Sequence, residues 1–331
     1  MLIIALVAAL LAFPSLAYAA CEGQDWRAQL TPEAMQEIRD RLAQVPFHRG
    51  IAFEAVRGES RLTLFGTVRV YDPGVHVPDD IAARIRSADL VLLEATPEVM
   101  TAFRQALAED YSLSFDVDGP GLRSRLAPRE WAILLRALLV RGIETEVVER
   151  MRPWFAAAML EHAPCDVAAS AGGGKILDDR VEALAREAGA AVGGLDEDAG
   201  RLLSYFSGLP EGEQLDLLRL TLASHTSDGS QIVTLVRSWQ DGEVAVGWEA
   251  ARARAVALTG DGAAVKEWFD RLHQVLVVAR NREWMRRLLE WSEAVPHIVV
   301  AVGAMHLPGE DGLLRLLERR SFAIRRLILA P

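Results

Sequence analysis

Short apolar runs lie toward both ends of this chain, and helical periodicity fills the space between them. Leu62–Phe65 runs into Gly66, Leu90–Leu93 ends at Glu94, Ile298–Val302 runs into Gly303, and Phe322–Leu329 closes the chain. Runs this short, bounded by glycine or charge, read as buried strands rather than helices. Between residues 125 and 290 the pattern changes. Trp131, Leu134, Leu135 and Leu138 recur at helical spacing, and Arg152-Pro153-Trp154 opens a further apolar helix. Helices are also predicted over 177–189, 197–224 and 262–292, with Ala191-Val192-Gly193 as a short strand among them. Outside the middle, Thr31-Pro32-Glu33 carries an N-cap, a proline and an acid in helical order, and 79–88, 97–108 and 311–320 read as helices. Strands so far apart in sequence bury their faces most simply in one sheet. The expected architecture is an α/β domain over 21–331, its central sheet built from both ends of the chain with a large helical insertion at 125–290.

Residues 1–20 stand apart. They are nearly all apolar, carry no charged side chain, and end in Ala17-Tyr18-Ala19, a small-x-small cleavage pattern. The expectation is a secretory signal peptide and a periplasmic or secreted protein. The alternative is an uncleaved anchor in the inner membrane, because the run nearly reaches bilayer length and its start lacks Lys or Arg. Modification of Cys21 as a lipoprotein is a weaker reading, since Tyr18 stands where leucine is usual. Export would place the two cysteines, Cys21 and Cys165, in an oxidising compartment where a bridge forms. Two unpaired thiols are the alternative.

One local pattern occurs twice. Leu62–Phe65 leads into Gly66-Thr67-Val68-Arg69, and Ile298–Val302 leads into Gly303-Ala304-Met305-His306. Each is an apolar strand, a glycine, a small residue, an apolar residue and a polar head. Glycine permits unusual backbone angles or a close approach at the strand end. The polar residue then turns back over that end, where open α/β sheets bind ligands. Glu94 ends its own strand in the same way. If these strands are parallel neighbours, Arg69, Glu94 and His306 converge on one crevice.

The segments LFGTVRVYDP, LVLLEATPE, RNREWM and VAVGAMHLPGEDGLLRLL resemble the TraB/PrgY/GumN family, which includes the Tiki-type metalloproteases. The resemblance spans residues 21 to 329 and is most specific at GAMHLPGEDGLL. It implies an extracytoplasmic, peptidase-like hydrolase whose two Gly-x-x-His motifs and strand-ending acid hold a divalent metal such as zinc, manganese or cobalt. His306 matches the second histidine and Glu94 the acid. Gly66, Thr67 and Gly303 fall in the two motifs, and Asn281 and Arg282 match an Arg-Asn-Arg stretch on a helix before the second. The cysteine pair resembles one in bacterial members, which implies a disulfide. Family names also associate it with polysaccharide biosynthesis. The chain departs from the pattern at Arg69, where a histidine is expected. A guanidinium stays protonated and only donates, so it cannot ligate a metal. His76, seven residues on, is the candidate third ligand, with a solvent-facing loop position as the alternative. A sharper expectation is that Arg69 places a fixed charge where the metal would sit and pairs with Glu94.

Other chemistries are excluded or given structural roles. Gly172-Gly173-Gly174-Lys175 lacks the upstream glycine and following Ser/Thr of a phosphate loop, and neither a Gly-x-Ser-x-Gly elbow nor His-Glu-x-x-His occurs. His48, His162, His225, His273 and His297 show no ligand spacing. The net charge of −10 argues against a nucleic-acid partner. Basic clusters at Arg280-Asn281-Arg282 and Arg319-Arg320 read as solvated helix faces. Two functions follow. One is a metal-dependent hydrolase acting on a peptide or other small extracytoplasmic substrate. The other is a catalytically inactive member that binds a peptide, a glycan precursor or a partner protein. Any membrane contact would be through an uncleaved N-terminal segment.

Overall fold

A computed structural model describes residues 21–196 and 198–329. The proposed signal peptide or anchor, residues 1–20, lies outside the described residues. The sheet has six strands: β1 Ala52–Arg57, β2 Ser60–Thr67, β3 Leu90–Ala95, β4 Ala191–Asp196, β5 His297–Gly303 and β6 Ala323–Arg326. Their order is β4-β3-β5-β2-β1-β6. The four strands β4, β3, β5 and β2 run parallel, while β1 is antiparallel to β2 and to β6. The fold is therefore α/β with a large helical portion, as the pattern of runs predicts.

The central strands are apolar on both faces because helices cover both. Phe65, Val91, Leu93, Val299 and Ala301 pack on one side with Ile81, Ile85, Leu177, Val181 and Trp239. Leu62, Leu64, Leu92, Val300 and Val302 pack on the other with Trp284, Leu288, Leu313 and Leu317. Burial on two faces explains why these strands read as continuous runs rather than alternations. A separate helical core gathers Trp131, Leu134, Leu138, Leu160 and Leu218.

Three sequence expectations need correction. The strand β1 was not expected, because Glu54 interrupts its apolar pattern and is nevertheless buried. The segment predicted helical over 262–292 is helical, but it contains a π turn at Gln274–Val278 between helices Gly262–His273 and Ala279–Ala294. The closing strand is four residues long rather than eight.

Cys21 and Cys165 form a disulfide across a sequence separation of 144. It anchors the first described residues to the helix Pro164–Ala171. Gly229, at φ 79°, leaves room for it: a Cβ there would lie 2.7 Å from the Cys165 Sγ. No helix among the described residues is long and apolar enough to cross a membrane.

Candidate functional site

Register brings the two glycine motifs together. β2 and β5 are parallel neighbours in which Gly66 faces Val302 and Thr67 faces Gly303. β3 lies on the other side of β5, with Leu93 opposite Ala301. Glu94 therefore emerges beside the end of β5. Both glycines are required by close approach rather than by unusual backbone angles. A Cβ on Gly66 would lie 2.9 Å from the Ala304 Cα, and one on Gly303 would lie 2.9 Å from the Glu94 Oε1. The Gly303 N–H donates to that same oxygen at 2.6 Å.

Glu94 is the hub. Arg280 donates to its Oε2 at 2.8 Å, and the Arg69 Nη2 lies 3.7 Å from the same atom. The His306 Nε2 is 3.6 Å from Oε1. So the carboxylate sits between the two motif heads, and Arg69, Glu94 and His306 do converge. Burial works to raise the Glu94 pKa, but Arg280, His306, Arg69 and the Gly303 N–H outweigh it and hold the carboxyl far below the usual range.

His306 is 5% exposed and held in one tautomer. The Asn281 Nδ2 donates to the backbone carbonyls of His306 and Asp311, so its Oδ1 must accept, and it does so from the His306 Nδ1 at 2.7 Å. That leaves Nε2 without a proton, facing Glu94 and, at 3.5 Å, the Arg280 Nη1. Burial depresses the imidazole to a pKa of about 3, with Arg280 adding to the effect against the pull of Glu94. The ring packs on Trp284 at a centroid distance of 4.5 Å.

The sequence reading missed three members of this cluster. Arg280, taken for part of a solvated face, is buried and bridges Glu94 to Asp196 with one nitrogen, at 2.8 and 2.5 Å. Asn281 is fully buried, and only Arg282 is solvated, paired with Asp311 at 3.0 Å. Asp196 ends β4 opposite Ala95, just as Glu94 precedes Ala95 on β3, and it also accepts from the Trp284 Nε1 at 2.8 Å. The third is Asp178, in the first turn of the helix Leu177–Glu187. It hydrogen-bonds Thr67 and feels both Arg69 and Glu94. Its Oδ2 is buried without a hydrogen-bond partner.

Burial and the Glu94 charge raise the Asp178 pKa to about 6, although Arg69 and Thr67 oppose the shift. The folded chain therefore binds a proton more readily than the unfolded chain, whose aspartate titrates near 3.8. The destabilisation this causes is absent below pH 4 and complete above pH 6. Asp178→Asn is expected to stabilise the protein by about 1–3 kcal/mol at pH 8 and to lose that advantage at pH 4. Urea unfolding of both proteins at the two pH values checks the sign.

Arg69 is at the rim, with 46% of its side chain exposed. Burial of its inner portion favours the neutral form, but Glu94, Asp178 and Glu161 outweigh that, so it stays charged. His76 does not join the cluster. It is exposed in the loop after β2. Among the described residues no three His, Cys, Asp or Glu side chains gather as a metal-holding group. The donor chemistry gives the physical reason. The motif positions Glu94 and His306 supply two metal-type ligands, both Glu94 oxygens already accept from the protein, Asp196 is held by Arg280 and Trp284, and the guanidiniums of Arg69 and Arg280 stand against the carboxylates. A catalytic divalent site usually takes three ligands and an open position. At the motif position where the third would be expected the chain presents the Arg69 guanidinium, which cannot ligate.

The arrangement offers a ligand one exposed handle at the parallel strand ends, the outer side of the Arg69 guanidinium. No curated protein matches the chain. The profile of the TraB/PrgY/gumN family matches residues 51–326, which include every strand of the sheet and every member of this cluster. The chain belongs to the TraB/PrgY/gumN family.

Proposed function

We propose that this chain is a metal-independent binding member of its family, acting outside the cytoplasm on a peptide or another small polar ligand. The observation that carries the reading is the guanidinium of Arg69, held 3.7 Å from Glu94 at the position where the family motif would place a metal-ligating histidine. Arg69 supplies fixed positive charge to the carboxylates around it, as an ion would, but it offers no vacant coordination position for water. The exposed outer side of the Arg69 guanidinium supports a binding role, since its remaining N–H groups can donate to a ligand carboxylate or carbonyl. The disulfide supports an oxidising compartment, and with residues 1–20 read as a signal peptide the periplasm or the extracellular space is the setting.

The second reading, a hydrolase, draws support from one feature. The unprotonated His306 Nε2 stands 3.6 Å from the Glu94 carboxylate, and either could serve as a general base toward a bound water. A turnover screen on peptide libraries with the wild-type protein, Arg69→His and His306→Ala separates the two. The binding reading expects the same metal-independent background from wild type and His306→Ala. Turnover by the wild type that disappears in His306→Ala and on chelation would establish the hydrolase instead.

A further inference from the structure

The outer face of the Arg69 segment carries more than its guanidinium. Past the end of β2 the chain alternates: Val68 and Val70 are buried, while Arg69 is exposed and Tyr71 half-buried. Such alternation puts Arg69 and Tyr71 on one side of an extended segment. On that side the Tyr71 ring meets the imidazole of His162 at a centroid distance of 5.8 Å. His162 follows the helix Pro153–Glu161, and Asp166 belongs to the next helix, Pro164–Ala171.

The buried Asp166 ties both partners to that helix. Its Oδ1 accepts from the Tyr71 N–H at 2.7 Å, and its Oδ2 accepts from the His162 Nδ1 at 2.5 Å. A carboxylate so placed orients the ring and keeps Nδ1 protonated. Nε2 is then the nitrogen that titrates, and 28% of the His162 side chain is exposed. The hydrogen bond to Asp166 raises the His162 pKa against the effect of burial, with Glu161 adding to the rise and Arg69 opposing it. The Arg141 guanidinium donates to the His162 backbone carbonyl, not to its ring.

We infer that His162, in its protonated form, joins Arg69 in holding the carboxylate of a ligand such as the free C-terminus of a peptide. The inference rests on Arg69 being the ligand handle proposed above. Arg69 alone is a poor anion site, because its charge already serves Glu94 and is felt by Asp178 and Glu161. A protonated imidazole on the same face adds a second cation and an Nε2–H donor. A carboxylate has one oxygen for each donor and carries the matching charge, whereas a neutral carbonyl has a single oxygen. His162 is charged below its raised pKa, which lies above the ordinary 6.5, and loses its proton as the pH climbs through that value. Carboxylate binding is therefore present in mild acid and lost in mild alkali. Asp178, pushed up to about 6, acts in the same direction toward the acidic end and has to be separated.

A mixture of N-acetylated tripeptides with free carboxyl termini, and the same mixture as C-terminal amides, is passed over the immobilised protein, and retained peptide is measured by mass spectrometry. The peptide carboxylates stay ionised at about pH 5.5 and about pH 8, so a difference between the two belongs to the protein. The acids should be retained about tenfold better than the amides at the lower pH, and no better at the higher. Asp178→Asn should keep this pH dependence; its disappearance would assign the effect to Asp178 and overturn the inference. His162→Asn, which offers an amide N–H to Asp166 but has no Nε2, should lose the preference for acids. If circular dichroism shows that this variant does not fold, the imidazole resonances of His162 in the wild type decide. They should shift with the acids and not with the amides, and a ring that ignores the acids overturns the inference. Retention that needs Arg69, tested as Arg69→Ala, but is indifferent to His162 and to pH overturns the inference and leaves the binding reading standing. Retention of neither acids nor amides removes the binding reading and this inference with it.

Discussion

Arg280→Ala is expected to destabilise the protein by about 3–5 kcal/mol, the usual cost of removing one partner from a buried ion pair. Among the described residues, Arg280 is the only cation in direct hydrogen-bond contact with both Glu94 and Asp196. Its removal strands two carboxylates that are each 8% exposed. Arg69, at 3.7 Å, remains near Glu94, and Asp196 keeps the Trp284 N–H but loses its guanidinium. The guanidinium also lies over the Trp284 ring at 4.5 Å, so packing is lost together with charge. The loss should shrink as the pH falls and the stranded carboxylates protonate. Arg282→Ala, two residues along the same helix, removes an exposed ion pair and should cost less than about 1 kcal/mol. Urea unfolding of the two variants makes the comparison. Equal, small effects would mean that Arg280 does not support the site.

Removing the disulfide should have an effect of similar size. A bridge that closes a loop of 144 residues lowers the entropy of the unfolded chain, and the loop-length relation gives a contribution of about 5 kcal/mol. Cys21→Ser/Cys165→Ser, or reduction of the wild-type protein, should lower the urea midpoint accordingly. The consequence extends toward the site. Cys165 neighbours the buried Asp166, whose Oδ1 accepts from the Tyr71 N–H at 2.7 Å. Tyr71 lies two residues past Arg69. The double serine variant is therefore expected to loosen the Arg69 loop, read as faster amide exchange at Val70 and Tyr71. An unchanged urea midpoint would remove the bridge from any account of stability.

The sequence made the strand ends legible and left the helix-borne partners obscure. The strand-Gly-x-x-polar pattern is local, so Arg69 and His306 could be found without knowing the sheet order. Their meeting depended only on β2 and β5 being parallel neighbours. Arg280 was obscured by its basic neighbours, which made a run that looked solvated. A signal was present in its spacing: Arg280 lies four residues before Trp284 and eight before Leu288, on the face those two bury. Asp196 ends its strand in the manner of Glu94, but the weak apolar content of Ala191-Val192-Gly193 gave little reason to extend the strand that far. Asp178 read as an ordinary acid in a helical first turn. Only tertiary packing reveals that it faces Thr67 and Arg69 instead of water. Glu54 hid β1 for a related reason. A buried carboxylate in a strand makes sense only once Arg61, Arg84 and Arg325, brought from three other elements, surround it.

The account rests on Arg69 standing in for a metal ion. The direct measurement is the content of zinc, manganese and cobalt in the purified protein after equilibration with each ion, for the wild type and for Arg69→His. The wild type should hold far less than one ion per chain, and Arg69→His, with a third nitrogen or oxygen ligand restored beside Glu94 and His306, should bind more tightly. One tightly held ion per wild-type chain would contradict the account.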